Sequence, residues 1–451
     1  MALASGLLSC SADSFPGLSY DEKEDIDASN SESSDKIPVL LFTKDPFFIR
    51  VNTGTRSTGA YDVEEFDTPQ KWRNNKFYLY AFRSKAEDNP PLNYKPNYDK
   101  KAIDDAASGS GDCLIDGSLA NSSYACGLPI HIVNDPPNQV VEGLKVEGLN
   151  VGPDATGDPI YYSTTYQKTG FDFFMYRIDN DYDYNAGIVR SNDKIYYDLE
   201  IDGAMDPVYG VAPKLKQNDV AKTLETTIND PEVRNVLDYG YSTYSAHRGF
   251  HPKIPLQHCL TRLKFSAYAG AANADNIQIT AIRIMSKYKA KFTVASTNHD
   301  DLGIVFEDEM KYLSLGQRDD EQGHVVELVP KTIKYDPSKD NGDKMAWLKQ
   351  EKVNLGESLL LPPAYSYEMV IEFKEQRTLG NGKVDYFYGS AKYTITPPSG
   401  FEYNYFKESY RFNIQVAVFG SEKIQVFADV QGWEDGGNVE IPEPDFEDFG
   451  D

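Results

Sequence analysis

The sequence predicts an all-β protein built from β-sandwiches. Tyr and Phe, which favour strands, account for 31 and 23 of the 451 residues. Short segments of alternating apolar and polar residues recur along the chain, as in strands with one buried face. Gly, Pro and Asn separate these segments and indicate turns. No run of about 18 apolar residues occurs, so the sequence contains no candidate membrane-spanning helix.

Residues 1–36 resemble a truncated lipoprotein signal followed by a disordered tether. Leu7-Leu8-Ser9-Cys10 places a small residue before a lone Cys, after a short apolar run, as at the end of a bacterial lipoprotein signal. The Cys10 thiol would carry the lipid. No Lys or Arg precedes it, so the alternative is a chance Cys in an apolar N-terminus. Ser11 to Lys36 is acidic, rich in Ser and poor in aliphatic residues, which predicts disorder.

Residues 37–56 are predicted to form a first strand and a linker. The apolar stretch from Ile37 to Val51 is interrupted by Pro46, and small residues at 52–59 surround Arg56. Small residues and Gly keep a backbone accessible to proteases, so Arg56 is the best candidate for cleavage. Arg50 is a weaker candidate because it lies inside the predicted strand. The alternative is that Arg56 is an ordinary loop residue.

Further strands are predicted on both sides of a helical region. The first group lies at 76–82, 131–133, 158–162, 171–176 and 194–201. The second lies at 260–265, 277–284, 291–294, 367–373, 384–396, 412–419 and 424–430, with Asn381-Gly382 as a turn. Residues 217–238 are the most helical, and Asp230-Pro231-Glu232 is a favourable helix start.

The cysteines include one pair that could form a disulfide in an oxidising compartment, and they indicate no zinc site. Cys113 and Cys126 flank a polar loop and are a candidate disulfide. Cys259 lies in an apolar pattern and is expected to be a small buried residue. No cysteine or histidine spacing is typical of zinc ligation, and His247, His251 and His258 are expected to bond locally.

Charge and motifs argue against nucleic-acid binding and against catalysis. The formal charge is −25, from 70 acidic and 45 basic residues, so nucleic acid and anionic membranes would repel the protein. No nucleophile elbow, phosphate loop or dinucleotide fingerprint occurs, and we predict no enzyme activity, cofactor or metal. Asp179 to Gly187 resembles the start of a calcium loop but lacks its Gly and Glu, so a solvated turn is expected.

Tyr-rich segments have two interpretations. The segments 386–388 and 403–406, with Tyr410, would form a sugar-stacking platform or half-buried sheet faces. The sequence alone leaves both open.

Several fragments, in their order, resemble the Mfa-like branch of the Bacteroidales type V pilus fimbrillins. They are Thr55-Arg56, Leu79-Tyr80-Ala81-Phe82, Asp206-Pro207-Val208-Tyr209-Gly210-Val211-Ala212, Gln257-His258-Cys259-Leu260-Thr261-Arg262-Leu263-Lys264-Phe265, Ile282-Arg283-Ile284, Leu359-Leu360-Leu361-Pro362-Pro363 and Val430-Gln431-Gly432-Trp433-Glu434-Asp435-Gly436-Gly437. The fragments occur in the same order as in the family, from about residue 37 to residue 440, which covers most of the chain.

The resemblance implies two transthyretin-like Greek-key β-sandwich domains, at 57–235 and 236–442, with minor helical insertions and an acidic tail at 443–451. It also implies a lipoprotein precursor whose first strand is removed by an Arg-specific protease. Another subunit's donor strand then fills the groove. The polymerising strand of this chain is expected within 411–430 or 438–446.

The sequence therefore predicts a structural or accessory subunit of an adhesive fimbria. Its partners would be other fimbrial subunits, the processing protease and a surface ligand. It would reside at the outer membrane as a precursor and on the fimbria when mature. The alternative is a surface lipoprotein that never polymerises and acts as an adhesin or a glycan-binding protein.

Overall fold

The structure is a computed structural model. It describes residues 39, 42–44, 77–83, 113–115, 126–133, 144–147, 162, 170–179, 181–214, 241–246, 250–319, 325–329, 347–421 and 423–431.

Strands dominate the described residues. The first are β1 (Phe42–Lys44), β2 (Phe77–Arg83), β3 (Cys113–Ile115), β4 (Leu128–Val133), β5 (Leu144–Glu147), β6 (Phe171–Arg177), β7 (Ile188–Arg190), β8 (Lys194–Glu200), β9 (Val208–Val211), β10 (Lys253–Pro255) and β11 (Gln257–His258). They are followed by β12 (Thr261–Ala269), β13 (Ile277–Lys287), β14 (Lys289–Ser296), β15 (Gly303–Phe306), β16 (Met310–Asp319), β17 (Val325–Val329), β18 (Val353–Asn354), β19 (Leu359–Leu361), β20 (Tyr367–Thr378), β21 (Val384–Ile395), β22 (Arg411–Gly420) and β23 (Lys423–Gln431). A single-turn helix, α1, spans Thr243–Ala246, and two 3-10 turns span Ala272–Ala274 and His299–Asp301.

The largest sheet has nine strands and is buried on both faces at its centre. Its order is β10-β1-β5-β4-β2-β6-β9-β11, and β3 also pairs with β2. On β2, Phe77 and Leu79 belong to one apolar cluster, whereas Tyr78 and Tyr80 belong to another. Since successive side chains of a strand point to opposite faces, the two clusters lie on opposite sides of the sheet.

A four-stranded sheet, β15-β14-β8-β7, contributes to the tyrosine-rich cluster. The hydroxyls of Tyr176 on β6 and Tyr197 on β8 lie 2.8 Å apart within hydrogen-bonding distance. The ring of Phe292 on β14 lies 6.4 Å from that of Tyr176. These contacts pack the smaller sheet against the larger one.

Strand pairing crosses the predicted boundary between residues 235 and 236. The hairpin of β14 and β15 pairs with β8, and β11 pairs with β9. The later part of the chain therefore completes sheets begun by the earlier part. The division into two domains at this boundary stays a prediction.

Two five-stranded sheets form the remaining sandwich. One has the order β18-β12-β22-β23 with β19 beside β12, and the other has the order β17-β16-β13-β20-β21. Phe265 of β12 and Ile414 of β22 share one buried cluster with Ile282 of β13 and Ile371 of β20. The core lies between the two sheets, as in a β-sandwich.

The all-β prediction is confirmed, with several antiparallel sheets and little helix in the described residues. The Asn381-Gly382 turn is also confirmed, because Gly382 has φ +77 and joins β20 to β21. The predicted helix at 217–238 lies outside the described residues. No helix among those residues is long and apolar enough to cross a membrane.

We predict that the interface between the nine-stranded and four-stranded sheets is a main source of stability. Phe292 is fully buried, so Phe292→Ala should lower the free energy of unfolding by about 3–5 kcal/mol in urea denaturation. Val305→Ala on neighbouring β15 is the control, because Val305 is 69% exposed and its loss should change the value by less than about 0.5 kcal/mol. Equal effects of the two substitutions would contradict this assignment.

Candidate functional site

The first strand occupies a gap between two other strands. β1 runs parallel to β10, with Thr43 opposite Ile254, and antiparallel to β5, with Thr43 opposite Leu144. β10 is the end strand of the sheet, and β1 is its neighbour there. Loss of β1 would therefore expose the edge of β5 and leave β10 without its sheet partner.

The chain just before β1 also contributes to the core. Val39 is fully buried and belongs to the apolar cluster that contains Ile130, Tyr162 and Ile254. Removal of this segment would uncover apolar surface as well as strand edges. Without this segment, the site would present unpaired backbone groups together with an empty apolar position. These are the two features that an added strand uses.

Gly210 sets how closely β10 approaches β9. A Cβ atom on Gly210 would lie 2.8 Å from Cγ2 of Ile254 and 3.1 Å from the carbonyl carbon of Pro255. Both distances are shorter than ordinary van der Waals contact, and the second is to backbone. Glycine is therefore required here by close packing.

A buried contact between a histidine and an aspartate fixes the chain after β10. Nδ1 of His258, on β11, lies 2.8 Å from Oδ2 of Asp206, which precedes β9, and both side chains are almost fully buried. Arg177 of β6 donates a hydrogen bond to the backbone carbonyl of Asp206 at 3.4 Å. Since a buried polar group is costly without its hydrogen-bond partner, these contacts hold β11 in place beside β9. One end of β10 is anchored in this way.

The segment before β10 is packed by Tyr241 and His251. Tyr241 exchanges backbone hydrogen bonds with Phe171, and its hydroxyl donates to the carbonyl of Pro213 at 2.9 Å. Burial raises the pKa of Tyr241 to about 12. Burial, together with the positive charge of Lys253, lowers the pKa of His251 to about 4. His251 is consequently neutral at physiological pH.

The predicted lipid and processing residues lie outside the described part of the chain. Cys10, Arg50 and Arg56 are in this group, so their roles stay predictions. Cys113 begins β3 and Cys126 precedes β4, and both of these strands pair with β2. Tyr176 donates a hydrogen bond to the carbonyl of Cys126 at 2.6 Å. The Cys113–Cys126 disulfide also stays a prediction.

The acidic loop after β6 is organised by a tyrosine. The hydroxyl of Tyr184 accepts hydrogen bonds from the backbone N–H groups of Ile178 and Asp179 and donates to the carbonyl of Asp179 at 2.8 Å. The carboxylate of Asp183 accepts from the N–H of Asn185. Within the described residues, no three His, Cys, Asp or Glu side chains are grouped to hold a metal ion. The sequence pattern does not reveal the central role of Tyr184.

The two Tyr-rich segments lie in different ring clusters. Tyr386 stacks on Trp347 at 6.5 Å and 15° on the hairpin of β20 and β21. Tyr403 contacts Tyr405 and Tyr410 in the loop before β22. Tyr365, which lies 6.0 Å from Tyr405, was not predicted as part of this group, because the loop it contacts is far away along the chain. Cys259 is buried, as predicted.

Comparison with solved structures gives low similarity over most of the chain. A putative cell adhesion protein from Bacteroides uniformis has 11% identity and a TM-score of 0.38, covering 89% of this chain and 100% of that one. A putative cell adhesion protein from Bacteroides ovatus has 8% identity and a TM-score of 0.36, covering 91% and 100%. The fimbrial anchor protein Mfa2 from Porphyromonas gingivalis has 8% identity and a TM-score of 0.29, covering 89% and 99%.

No protein-family model and no curated protein matches the chain. Because the TM-scores are below 0.5, the neighbours add no argument about function.

Gly210→Ala should loosen β10. The added Cβ pushes against backbone and Ile254, so trypsin should cut after Lys253 faster than in the unmodified protein. Gly380→Ala is the matched control, since no atom lies within 4 Å of its Cβ position. If trypsin cut both variants after Lys253 at the same rate, close packing at Gly210 would not hold β10.

His251 should make stability depend on pH. Its pKa is about 4 when folded and 6.5 as the ordinary value, so the unfolded chain binds the proton first as pH falls. Stability should therefore be full above pH 6.5 and should decrease by about 1–3 kcal/mol as pH falls towards 4. Urea denaturation at several pH values should show a smaller decrease for His251→Gln. An unchanged slope in that variant would exclude His251 as the cause.

Proposed function

We propose that this protein is a structural or accessory subunit of a bacterial surface fimbria of the type V pilus class and serves cell adhesion. The observation that carries the proposal is the position of β1, which fills a gap between β5 and β10 and pairs with both. The protein acts by assembly and not by catalysis. Its partners are the other fimbrial subunits and the protease that processes it.

The proposed assembly step replaces one strand by another. Once β1 is removed, a donor strand from a second subunit runs parallel to β10 and antiparallel to β5, in the place that β1 leaves. Main-chain hydrogen bonds supply part of the affinity, and an apolar residue takes the position of Val39. Each large apolar side chain buried in the gap contributes about 1.5–3 kcal/mol, so several together hold subunits firmly.

The proposed donor segment is 438–446. The other candidate, 411–430, contains β22, which pairs with β12 on one side and with β23 on the other. Phe412, Ile414 and Val416 of β22 are fully buried. Using β22 as a donor would require the core of the sandwich to open, which is costly. We therefore propose the segment after β23.

Export and release involve residues before β2. Lipidation of Cys10 holds the precursor at the outer membrane, and cleavage after Arg56 by an Arg-specific protease then releases lipid, tether and first strand together. The mature protein begins at Ser57 and resides in the fimbria at the cell surface. The anchor and the assembly switch are one removable segment.

Arg56→Ala should block processing and fibre formation. Expressed in a strain that carries the processing protease, this variant should keep its N-terminal segment, and mass spectrometry should detect lipidated Cys10 on it. Arg56→Lys should behave in the same way if the protease is specific for Arg. Arg50→Ala is the matched control and should still yield an N-terminus at Ser57.

Two outcomes would contradict the proposal. Normal fibres from Arg56→Ala would exclude Arg56 as the cleavage site. Lipidated Cys10 on every copy of the unmodified protein would favour the alternative function, a surface lipoprotein adhesin that never polymerises.

A further inference from the structure

A group of partly exposed aromatic side chains lies at one end of the sandwich formed by the two five-stranded sheets, which we call the second sandwich. We call this group the aromatic patch, and it consists of Tyr365, Phe401, Tyr403, Tyr405 and Tyr410. Tyr365 is 71% exposed, and the other four are partly exposed. A cluster of exposed aromatic residues on a soluble protein commonly marks a binding site.

The rings of the aromatic patch are steeply tilted against one another and do not form a flat surface. Tyr365 and Tyr405 lie 6.0 Å apart with their planes at 61°, and Tyr403 and Tyr405 lie 5.9 Å apart at 70°. Phe401 contacts Tyr403 at 5.5 Å and Tyr410 at 5.2 Å. Each ring is held by the edge of its neighbour, which is a favourable geometry for aromatic pairs.

A buried phenylalanine anchors the patch from below. Phe406 is fully buried, and its ring lies 4.8 Å from those of both Tyr367 and Phe412. Its N–H donates to the carbonyl of Ala364 at 2.7 Å, which ties the loop to the residue beside Tyr365. The two chain segments that carry the patch are thus joined to each other.

Side chains from β12 and the backbone fix the rest of the loop. The hydroxyl of Thr261 donates to the carbonyls of Phe406 and Lys407 at 3.0 and 2.8 Å. Ser409 has φ +63, and its hydroxyl donates to the carbonyl of His258 at 3.0 Å. A non-glycine residue in this backbone region is strained and persists only where its surroundings enforce it. The aromatic patch is therefore rigid before any ligand binds.

Polar groups border the rings. The ammonium of Lys407 lies 3.6 Å from the centroid of Tyr403, and Glu402 and Asn404 are exposed on the same loop. The loop from 399 to 410 contains no aliphatic side chain, so its surface is aromatic and polar only. Ring faces therefore lie next to charged and amide groups, which is an arrangement that suits a ligand with both C–H faces and hydroxyl groups.

We propose that the aromatic patch binds a neutral oligosaccharide. The C–H faces of sugar rings stack on Tyr365 and Tyr405, while tyrosine hydroxyls, Asn404 and Glu402 hydrogen-bond to sugar hydroxyls. The net charge of −25 disfavours anionic glycans and nucleic acids. Rigid rings lose little conformational freedom on binding, which favours affinity from a small surface.

This inference deepens the proposed adhesive function by naming the class of ligand. The aromatic patch lies on the second sandwich, whereas the assembly step involves β1 in the nine-stranded sheet. Binding is therefore measured on the purified, unassembled full chain, so a failure to bind leaves the assembly proposal untouched. A failure to polymerise likewise leaves the aromatic patch untouched.

The test begins with an array of neutral oligosaccharides of glucose, galactose, mannose, fucose and N-acetylhexosamines, alongside sialylated and sulphated glycans. The best neutral glycan is then titrated by calorimetry. Tyr365→Ala and Tyr405→Ala should each weaken binding about tenfold, because each removes a stacking surface. Tyr365→Phe should retain most of the affinity.

Tyr388→Ala is the matched control, since Tyr388 is 45% exposed and pairs with Lys374 towards the turn end of the β20–β21 hairpin, whereas Tyr365 precedes the start of β20. It should leave the affinity unchanged. Circular dichroism of each variant checks folding, and the exposed position of Tyr365 makes its loss tolerable to the fold. Absence of binding to every neutral glycan, binding to anionic glycans alone, or equal affinity of Tyr365→Ala and the unmodified protein would overturn the proposal.

Discussion

The parallel pairing of β1 with β10 is the interaction on which the end of the nine-stranded sheet and the proposed strand exchange depend. β10 lies at the end of the nine-stranded sheet, and β1 connects it to β5. Backbone N–H and C=O groups on both neighbours are satisfied by β1, and buried unpaired groups of this kind are costly. The first strand is therefore structurally important, although a long segment of chain separates it from β2. A strand that completes a sheet and is joined to the next strand by a long segment is well suited to exchange between subunits.

The rest of the fold is arranged so that loss of β1 stays local. β2 and β6 are packed on both faces, and the hairpin of β14 and β15 pairs with β8 across the halves of the chain. The buried pair of His258 and Asp206 holds β11 beside β9 without any contribution from β1. These interactions keep β9 and β11, which lie on either side of β10 along the chain, near their positions when β1 leaves. A preformed gap reduces the cost of accepting another strand.

Much of the fold could be predicted from the sequence because period-2 alternation directly reflects strands with one buried face. The strands near 76–82, 277–284 and 412–430 and the turn at Asn381-Gly382 were predicted in this way and are present. Pairing between distant segments could not be predicted, because alternation carries no information about which strand is the neighbour. The pairing of β14 with β8 and the position of β1 between β5 and β10 are two such long-range pairings.

The candidate sites show the same limit. The apolar residues after Ile37 indicated a strand, but only the sheet order shows that it bridges β5 and β10. Gly210 is one of 33 glycines, and its importance follows from the closeness of Ile254 and Pro255, which are far away in sequence. Tyr365 likewise joins the aromatic patch through a contact across the fold. Cys10 and Arg56 were nominated by local motifs alone.

Hydrogen–deuterium exchange before and after removal of the N-terminal fragment shows whether β10 depends on β1. The full chain is cleaved after Arg56, the fragment is separated, and exchange is followed by mass spectrometry. We expect faster exchange at 144–147 and 253–255, with little change at 77–83 and 171–177, where β2 and β6 pair with each other. Unchanged protection at 253–255 after the fragment has gone would contradict this expectation, because β10 would then not depend on β1.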